Sequence, residues 1–193
     1  MRIVSGEFRG KLLAIPEDKR IRPTADRIRE ALFNILAHGT DYLTDNGPLP
    51  RGARVLDMFA GTGALGVEAL SRGAEHVTFM DNNPESLKLI RQNVAAINAQ
   101  HKSNIYSRNG TNLGRNGSAV DLILMDPPYS QDLAVPCLEG LLAGGWCYEK
   151  TVIVLELATK DKFEAPEGFE VMDERKYGST KLYFLGIKAP AND

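Results

Sequence analysis

Apolar positions along this chain fall into two rhythms, and the rhythms alternate. Short apolar runs at 54–58, 76–80, 120–125 and 151–157 read as buried strands. Between them, Leu87, Ile90, Val94 and Ile97 form a stripe at helical spacing, and 63–72 and 132–143 read as two further helices. Asn83-Pro84 is a helix start, with an asparagine cap and proline in the first turn. A short strand is expected near Ile105, followed by a polar loop from Arg108 to Ser118. The run Thr151–Leu157 is the most β-branched and reads as a central strand. Two last strands, near 169–176 and 181–187, are joined through Tyr177-Gly178-Ser179-Thr180. Strand–helix alternation predicts a mostly parallel α/β sheet covered on both faces, and the short last connection makes the closing pair antiparallel.

The front of the chain has a different pattern. Residues 1–15 carry Gly6 and Gly10 between apolar pairs and read as a small hairpin or bent strand pair. Arg22-Pro23-Thr24 opens an amphipathic helix, with Thr24 as its cap and Ile28, Leu32, Ile35 and Leu36 on one face. Residues 38–52 are polar, rich in glycine and proline, and read as a linker. Residues 1–50 are thus expected to form a hairpin, a basic helix and a linker packed on a main domain of 51–193.

Each of three strands ends on an acid: Asp57, Asp81 and Asp126. In an open α/β sheet these ends share the ligand-binding edge. After Asp57 comes Phe59-Ala60-Gly61-Thr62-Gly63-Ala64-Leu65-Gly66, a glycine loop opening a helix, which aims backbone N–H groups at whatever binds. The loop matches a dinucleotide fingerprint, with Asp81 at ribose-binding distance, but such a match is weak alone. Asp57 at the strand end would repel a pyrophosphate. It would attract a ligand bearing an ammonium or sulfonium, and S-adenosylmethionine carries both.

Asp126-Pro127-Pro128-Tyr129 is the most specific signal. Two prolines fix the backbone, remove two donors and leave carbonyls free to accept. The Asp126 carboxylate and the Pro127 carbonyl could each take one proton of a nucleobase amino group and favour attack by its nitrogen. Tyr129 would offer a face for stacking. A strand-ending turn with a core tyrosine accounts equally well for these four residues alone. Their place beside the glycine loop and Asp81 decides for chemistry.

Composition adds bounds. The chain has 193 residues, 43% of them hydrophobic and 25% charged, ordinary for a soluble globular protein. It shows no membrane-length apolar run and no signal-peptide pattern, so a cytoplasmic location is expected. Cys137 and Cys147 have no metal-ligand spacing and read as reduced packing residues. Net charge is −2, but residues 1–30 hold eight Lys/Arg against five Asp/Glu. Arg2, Arg9, Lys11, Arg22, Arg27 and Arg29 are candidate phosphate contacts, although a solvated surface explains that asymmetry as well.

The motifs Asp57–Gly66, Asp81 and Asp126–Tyr129 resemble those of class I S-adenosylmethionine-dependent amino-methyltransferases. Arg2–Leu13, Arg22–Asn34, Ala64–Ala74 and Tyr177–Thr180 extend the match, and together they resemble the RsmD family, bacterial 16S rRNA guanine-N2 methyltransferases. The resemblance implies a Rossmann-like fold and methyl transfer to N2 of one guanine, in the small ribosomal subunit or an assembly intermediate. It implies S-adenosylmethionine held by Asp57, Phe59, Ala60, Gly61, Thr62, Gly63, Asp81, Asn82, Asn109 and Asp126, with catalysis by Asp126, Pro127 and Tyr129. Pro128 and Tyr129 would meet the RNA with the six basic residues. No metal is implied, and a monomer is expected. Asn109-Gly110-Thr111 departs from the family, which often has an acid there, and 38–52 is longer than expected.

Three other readings stay open. An amino-methyltransferase could act on adenine in DNA or on a protein glutamine amide, though the chain lacks an added target-recognition domain. A dinucleotide oxidoreductase would bind a nicotinamide cofactor. A non-catalytic RNA-binding assembly protein would tolerate loss of Asp126.

Overall fold

The computed structural model describes residues 1–16, 23–128 and 132–188. Its first helix, α1 (Pro23–His38), is followed by a two-strand hairpin, β1 (Leu43–Thr44) and β2 (Gly47–Pro48). The alternating body follows: β3 (Arg54–Met58), α2 (Ala64–Ser71), β4 (His76–Asp81), α3 (Pro84–Ala96), β5 (Ser103–Ser107), β6 (Leu122–Met125), α4 (Ala134–Ala143), β7 (Val152–Ala158), β8 (Phe169–Tyr177) and β9 (Thr180–Ile187). One seven-stranded sheet runs β5-β4-β3-β6-β7-β9-β8. Pairs from β5 to β7 are parallel, and β9 pairs antiparallel with both β7 and β8. The inner parallel strands β3, β4, β6 and β7 are buried on both faces, as their apolar runs require, while β5 at the edge is largely exposed. This is the Rossmann-like α/β fold with a closing antiparallel pair that the strand pattern predicts.

The pleat sorts alternate residues into two cores. Val55, Val77, Phe79, Leu122, Leu124 and Val154 face one core with side chains of α1, α2 and α3. Leu56, Met58, Met80, Ile123, Met125 and Ile153 face the other, against α4 and Trp146. Asp57 shares the parity of Val55, so its carboxylate lies on the α2 side, where the glycine loop turns into helix.

Two expectations at the front need correction. The α1 helix begins at Pro23, so Thr24 lies within it and is not its cap. Residues 38–52 do more than link: β1 and β2 pair there, Tyr42 and Leu49 are buried, and Tyr42 packs on Phe184 with ring centroids 5.4 Å apart. Large apolar groups inside a polar stretch give no period to read, yet each removes apolar area from water.

The first fourteen residues are bound to α2 and α3 by polar contacts. Buried Glu68 accepts from the backbone N–H groups of Val4 (2.8 Å) and Ser5 (2.9 Å). Its carboxylate also pairs with Arg72 Nε at 2.9 Å and lies 3.6 Å from Arg29 Nε. The Ser71 hydroxyl accepts from Phe8 N–H and donates to the Ser5 carbonyl. Asn93, 1% exposed, accepts from Ala14 N–H at 2.6 Å and donates to the carbonyls of Ala14 and Thr62.

Candidate active site

The end of β3 breaks into a left-handed stretch, with φ of 57° at Phe59, 56° at Gly61 and 75° at Gly63. Two of those positions have the residue that adopts this region freely. Phe59 does not, and its ring is held in place: a Cβ on Gly110 would come within 2.3 Å of it. The loop is anchored at both ends. Gly61 N–H donates to Asp81 Oδ2 and Gly66 N–H to Asp57 Oδ2, each at 2.8 Å. Gly66 also lets α2 approach the sheet, since a Cβ there would lie 2.3 Å from Phe79.

These residues line a cavity of about 220 Å³. Asp57, Phe59, Ala60, Gly61, Thr62, Ala64 and Leu65 form its glycine-loop side. Asp126 and Glu156 face them, and Met1, Ile28, Arg29 and Leu32 close it from the front of the chain. Asp57 is 1% exposed, and its pKa is pushed up to about 8. Burial raises it most, the Gly66 hydrogen bond offsets part of that, and the charge of Asp81 raises it further. Asp126 is open to solvent at the cavity but enclosed by protein elsewhere; burial, then Glu156, then Asp57 hold its pKa well above the usual carboxylate range. Carboxyl groups so disposed are poised for a cation.

The predicted residues divide. Asp57, Phe59, Ala60, Gly61, Thr62 and Asp126 come together at the cavity. Gly63 shapes the loop from behind, packed near Ile90 and Phe79. Asp81 spends both oxygens on the backbone, taking Gly61 N–H and Asn83 N–H, so it braces the loop whatever else it contacts. Asn82 and Asn109 are exposed and stand outside the cavity's lining; the Asn109 side chain folds back onto Thr111. Pro127 is buried, Pro128 is exposed, and Tyr129 lies outside the described residues, as does Arg22.

Of the basic set, Arg2, Arg9, Lys11 and Arg27 are exposed. Arg29 is a correction. It is 3% exposed and donates to the Arg2 carbonyl at 2.7 Å and to Asp26 at 3.0 Å, so it ties the front of the chain together instead of meeting RNA phosphate. Its helical spacing from Ile28 and Leu32 put it next to the apolar face, a signal outweighed by its charge. Glu156 was missed as well. A lone acid in the apolar run Val152–Ala158 was the available sign. Among the described residues no group of three or more His, Cys, Asp or Glu could hold a metal ion, and no helix is long and apolar enough to cross a membrane.

A parallel sheet with an antiparallel closing pair, a glycine loop after the first body strand and an acid-Pro-Pro turn at the neighbouring edge together define a class I methyltransferase fold. A solved structure named as a methyltransferase, from Escherichia coli, superposes with a TM-score of 0.83 at 29% identity, covering 98% of this chain and 99% of that one. The family model described as Conserved hypothetical protein 95 matches residues 1–186, and the chain belongs to that family, the RsmD family of methyltransferases. Its relatives include ribosomal RNA small subunit methyltransferase D of Escherichia coli K12, 33% identical over 81% of this chain and 74% of that protein. The Haemophilus influenzae protein of the same name is 29% identical over 95% of this chain and 93% of its own.

Proposed function

We propose that this protein transfers a methyl group from S-adenosylmethionine to the exocyclic N2 of one guanine in 16S rRNA, within the small ribosomal subunit or an assembly intermediate. Residues 51–193 would be the catalytic domain and residues 1–50 its RNA-facing extension, working in the cytoplasm as a monomer. The observation that carries the reading is that Asp126, opening Asp126-Pro127-Pro128, lines the same cavity as the glycine loop and Asp57. The names of the relatives, small subunit rRNA methyltransferases, support the substrate.

The residues present fit the cofactor. A buried carboxyl at Asp57 suits an ammonium or sulfonium, and the open face of Gly61, where an added Cβ would meet nothing closer than 3.9 Å, leaves room at the loop. Asp57 and Phe59–Gly63 would hold it, with Asp81 and Asn82 toward the ribose and Asn109 toward the adenine. When bound, S-adenosylmethionine supplies an electrophilic methyl group on a sulfonium.

The remaining chemistry belongs to the chain. The target guanine leaves its stack to reach the cavity. Asp126 accepts one N2–H and the Pro127 carbonyl the other, which localises the lone pair on the nitrogen. Tyr129 stacks on the base, and Pro128 flanks it. The nitrogen that gains the methyl group must shed a proton. Asp126 takes up that proton, a role its surroundings favour. Arg2, Arg9, Lys11 and Arg27, with Arg22, hold RNA phosphates.

Small subunits from cells lacking the protein test this. They are incubated with labelled S-adenosylmethionine and either the protein or Asp126→Ala, and the labelled nucleoside is mapped by mass spectrometry. Label on guanine N2 at one 16S position, lost with Asp126→Ala, is the expected result. Label on adenine or protein, or none despite cofactor binding, overturns the reading.

A further inference from the structure

A second cavity, of about 230 Å³, opens on the other side of the Asp126-Pro127-Pro128 turn. Pro127 and Pro128 form one wall, Leu133, Val135 and Leu157 add apolar surface, and the ring of Phe163 lines it. That ring is held against Tyr183, centroids 4.9 Å apart and planes tilted by 55°. The polar groups are unequal in sign: Asp132, Asp161 and Glu164 line it with one lysine, Lys162. Three carboxylates against one lysine disfavour a phosphate, and none of the candidate phosphate contacts Arg2, Arg9, Lys11 and Arg27 lines this cavity. An apolar slot with an aromatic wall and carboxylate acceptors suits a flat heterocycle that carries N–H donors.

We infer that this cavity seats the ring of the target guanine and that Asp161 selects guanine by accepting its N1–H. The inference rests on the proposed function and adds the base-selecting residue to it. Guanine presents N1–H beside its N2 amino group, so a base whose N2 is held at Asp126 and the Pro127 carbonyl needs one more acceptor. Adenine has a bare N1 lone pair there, which a carboxylate repels. Asp161 is the half-buried member of the three acids, Asp132 and Glu164 being exposed. It lies three residues past the end of β7, and its N–H donates to the Ala158 carbonyl at 2.9 Å, so the turn that carries it is fixed to the strand end. An acceptor on a fixed turn discriminates more strongly than one on a mobile side chain, because the wrong base cannot push it aside.

Small subunits reconstituted around ligated rRNA provide the test, carrying either guanine or 2-aminopurine at the methylated nucleotide. The latter keeps the N2 amino group but has a bare N1. Wild-type protein should prefer guanine in kcat/KM by about 100-fold or more, the range expected when a buried acceptor loses its donor. Asp161→Ala should narrow that ratio to about 10-fold or less. Asp161→Asn keeps the shape and offers an amide N–H to the bare N1, so it should narrow the ratio further. Asp132→Ala and Glu164→Ala should leave the ratio at the wild-type value. An unchanged ratio in both Asp161 variants, with guanine still methylated, overturns the inference and spares the proposed function. A collapse in Asp132→Ala or Glu164→Ala instead overturns the choice of Asp161. If wild-type protein methylates neither base, the proposed function fails first.

Discussion

Glu68 and Asp57 are two buried acids of one strand–loop–helix unit, and the protein treats them in opposite ways. Glu68 is enclosed by two backbone N–H groups and Arg72, with Arg29 close by, so its charge is answered within the fold. Asp57 takes one backbone N–H at the end of a strand that opens on a cavity, and burial with its acidic neighbour pushes its pKa to about 8. A compensated buried acid holds structure together. An under-compensated one at a cavity is held ready for a cation from outside. The difference separates the front-end clasp from the candidate active site, although Gly66, which anchors Asp57, lies only two residues before Glu68.

The comparison breaks most visibly at Glu68. Glu68→Ala strands Arg29 and Arg72 and frees the N–H groups of Val4 and Ser5, which should cost about 3–5 kcal/mol. For a chain of this size that lowers the melting temperature by roughly 6–20 °C. Thermal unfolding of wild type and variant checks it, and a change of under about 1 kcal/mol would mean that the clasp is not held by this carboxylate.

Asp57 should behave in the reverse way. Its folded pKa, about 8, lies above the unfolded carboxylate value, so the folded chain binds the extra proton between about pH 4 and 8. Stability of the empty protein therefore falls as pH rises through that window. Asp126, raised in the same direction, adds to the fall. Asp57→Asn should flatten part of the slope and make the empty protein more stable than wild type at pH 8, while cofactor affinity drops about tenfold or more. Urea midpoints at pH 5 and pH 8 read the first effect and calorimetry the second. A parallel pH profile in Asp57→Asn would refute the assignment. In the wild type, cofactor binding at pH 7 should release up to about one proton, because the incoming cation favours the ionised carboxylate. Titration in two buffers of different ionisation enthalpy measures that release, and Asp57→Asn should diminish it.

How much of this was legible in the sequence depended on the range of the signal. β3 falls at 54–58 and α3 begins after Asn83, whose side chain caps Glu85 N–H, because period and capping are local properties. The site's acid edge was legible for the same reason: each acid sits where an apolar run stops. Arg29 was misread because a charge in a basic helix looks solvated until Glu68, thirty-nine positions on, is brought beneath it. The partners of Glu156 and Asn93 were out of reach on similar grounds. Glu156 joins Asp126 only through strand pairing of β6 with β7, and Asn93 joins Ala14 to Thr62 across three separate segments. Local chemistry can be read from order along the chain, whereas compensation between distant groups requires the fold.

The smallest expected effect tests the outer surface of the clasp. Its inner side is committed to Glu68 and Ser71, so its exposed charges are available to a partner without loss of structure. Single charge-removing changes at Arg2, Arg9, Lys11 or Arg27 should leave the melting temperature within about 2 °C of wild type. Each should also lower the slope of log affinity for RNA against log salt by about 0.7–0.9, the value for one phosphate contact. The same change at Arg29 should do the opposite, lowering the melting temperature markedly and leaving the salt slope of the folded fraction unchanged, since that guanidinium does not reach solvent. Filter-binding across a salt series, run beside thermal unfolding, separates the two behaviours. If Arg29 changes the slope and Arg2 does not, the inner and outer faces of the clasp have been assigned the wrong way round.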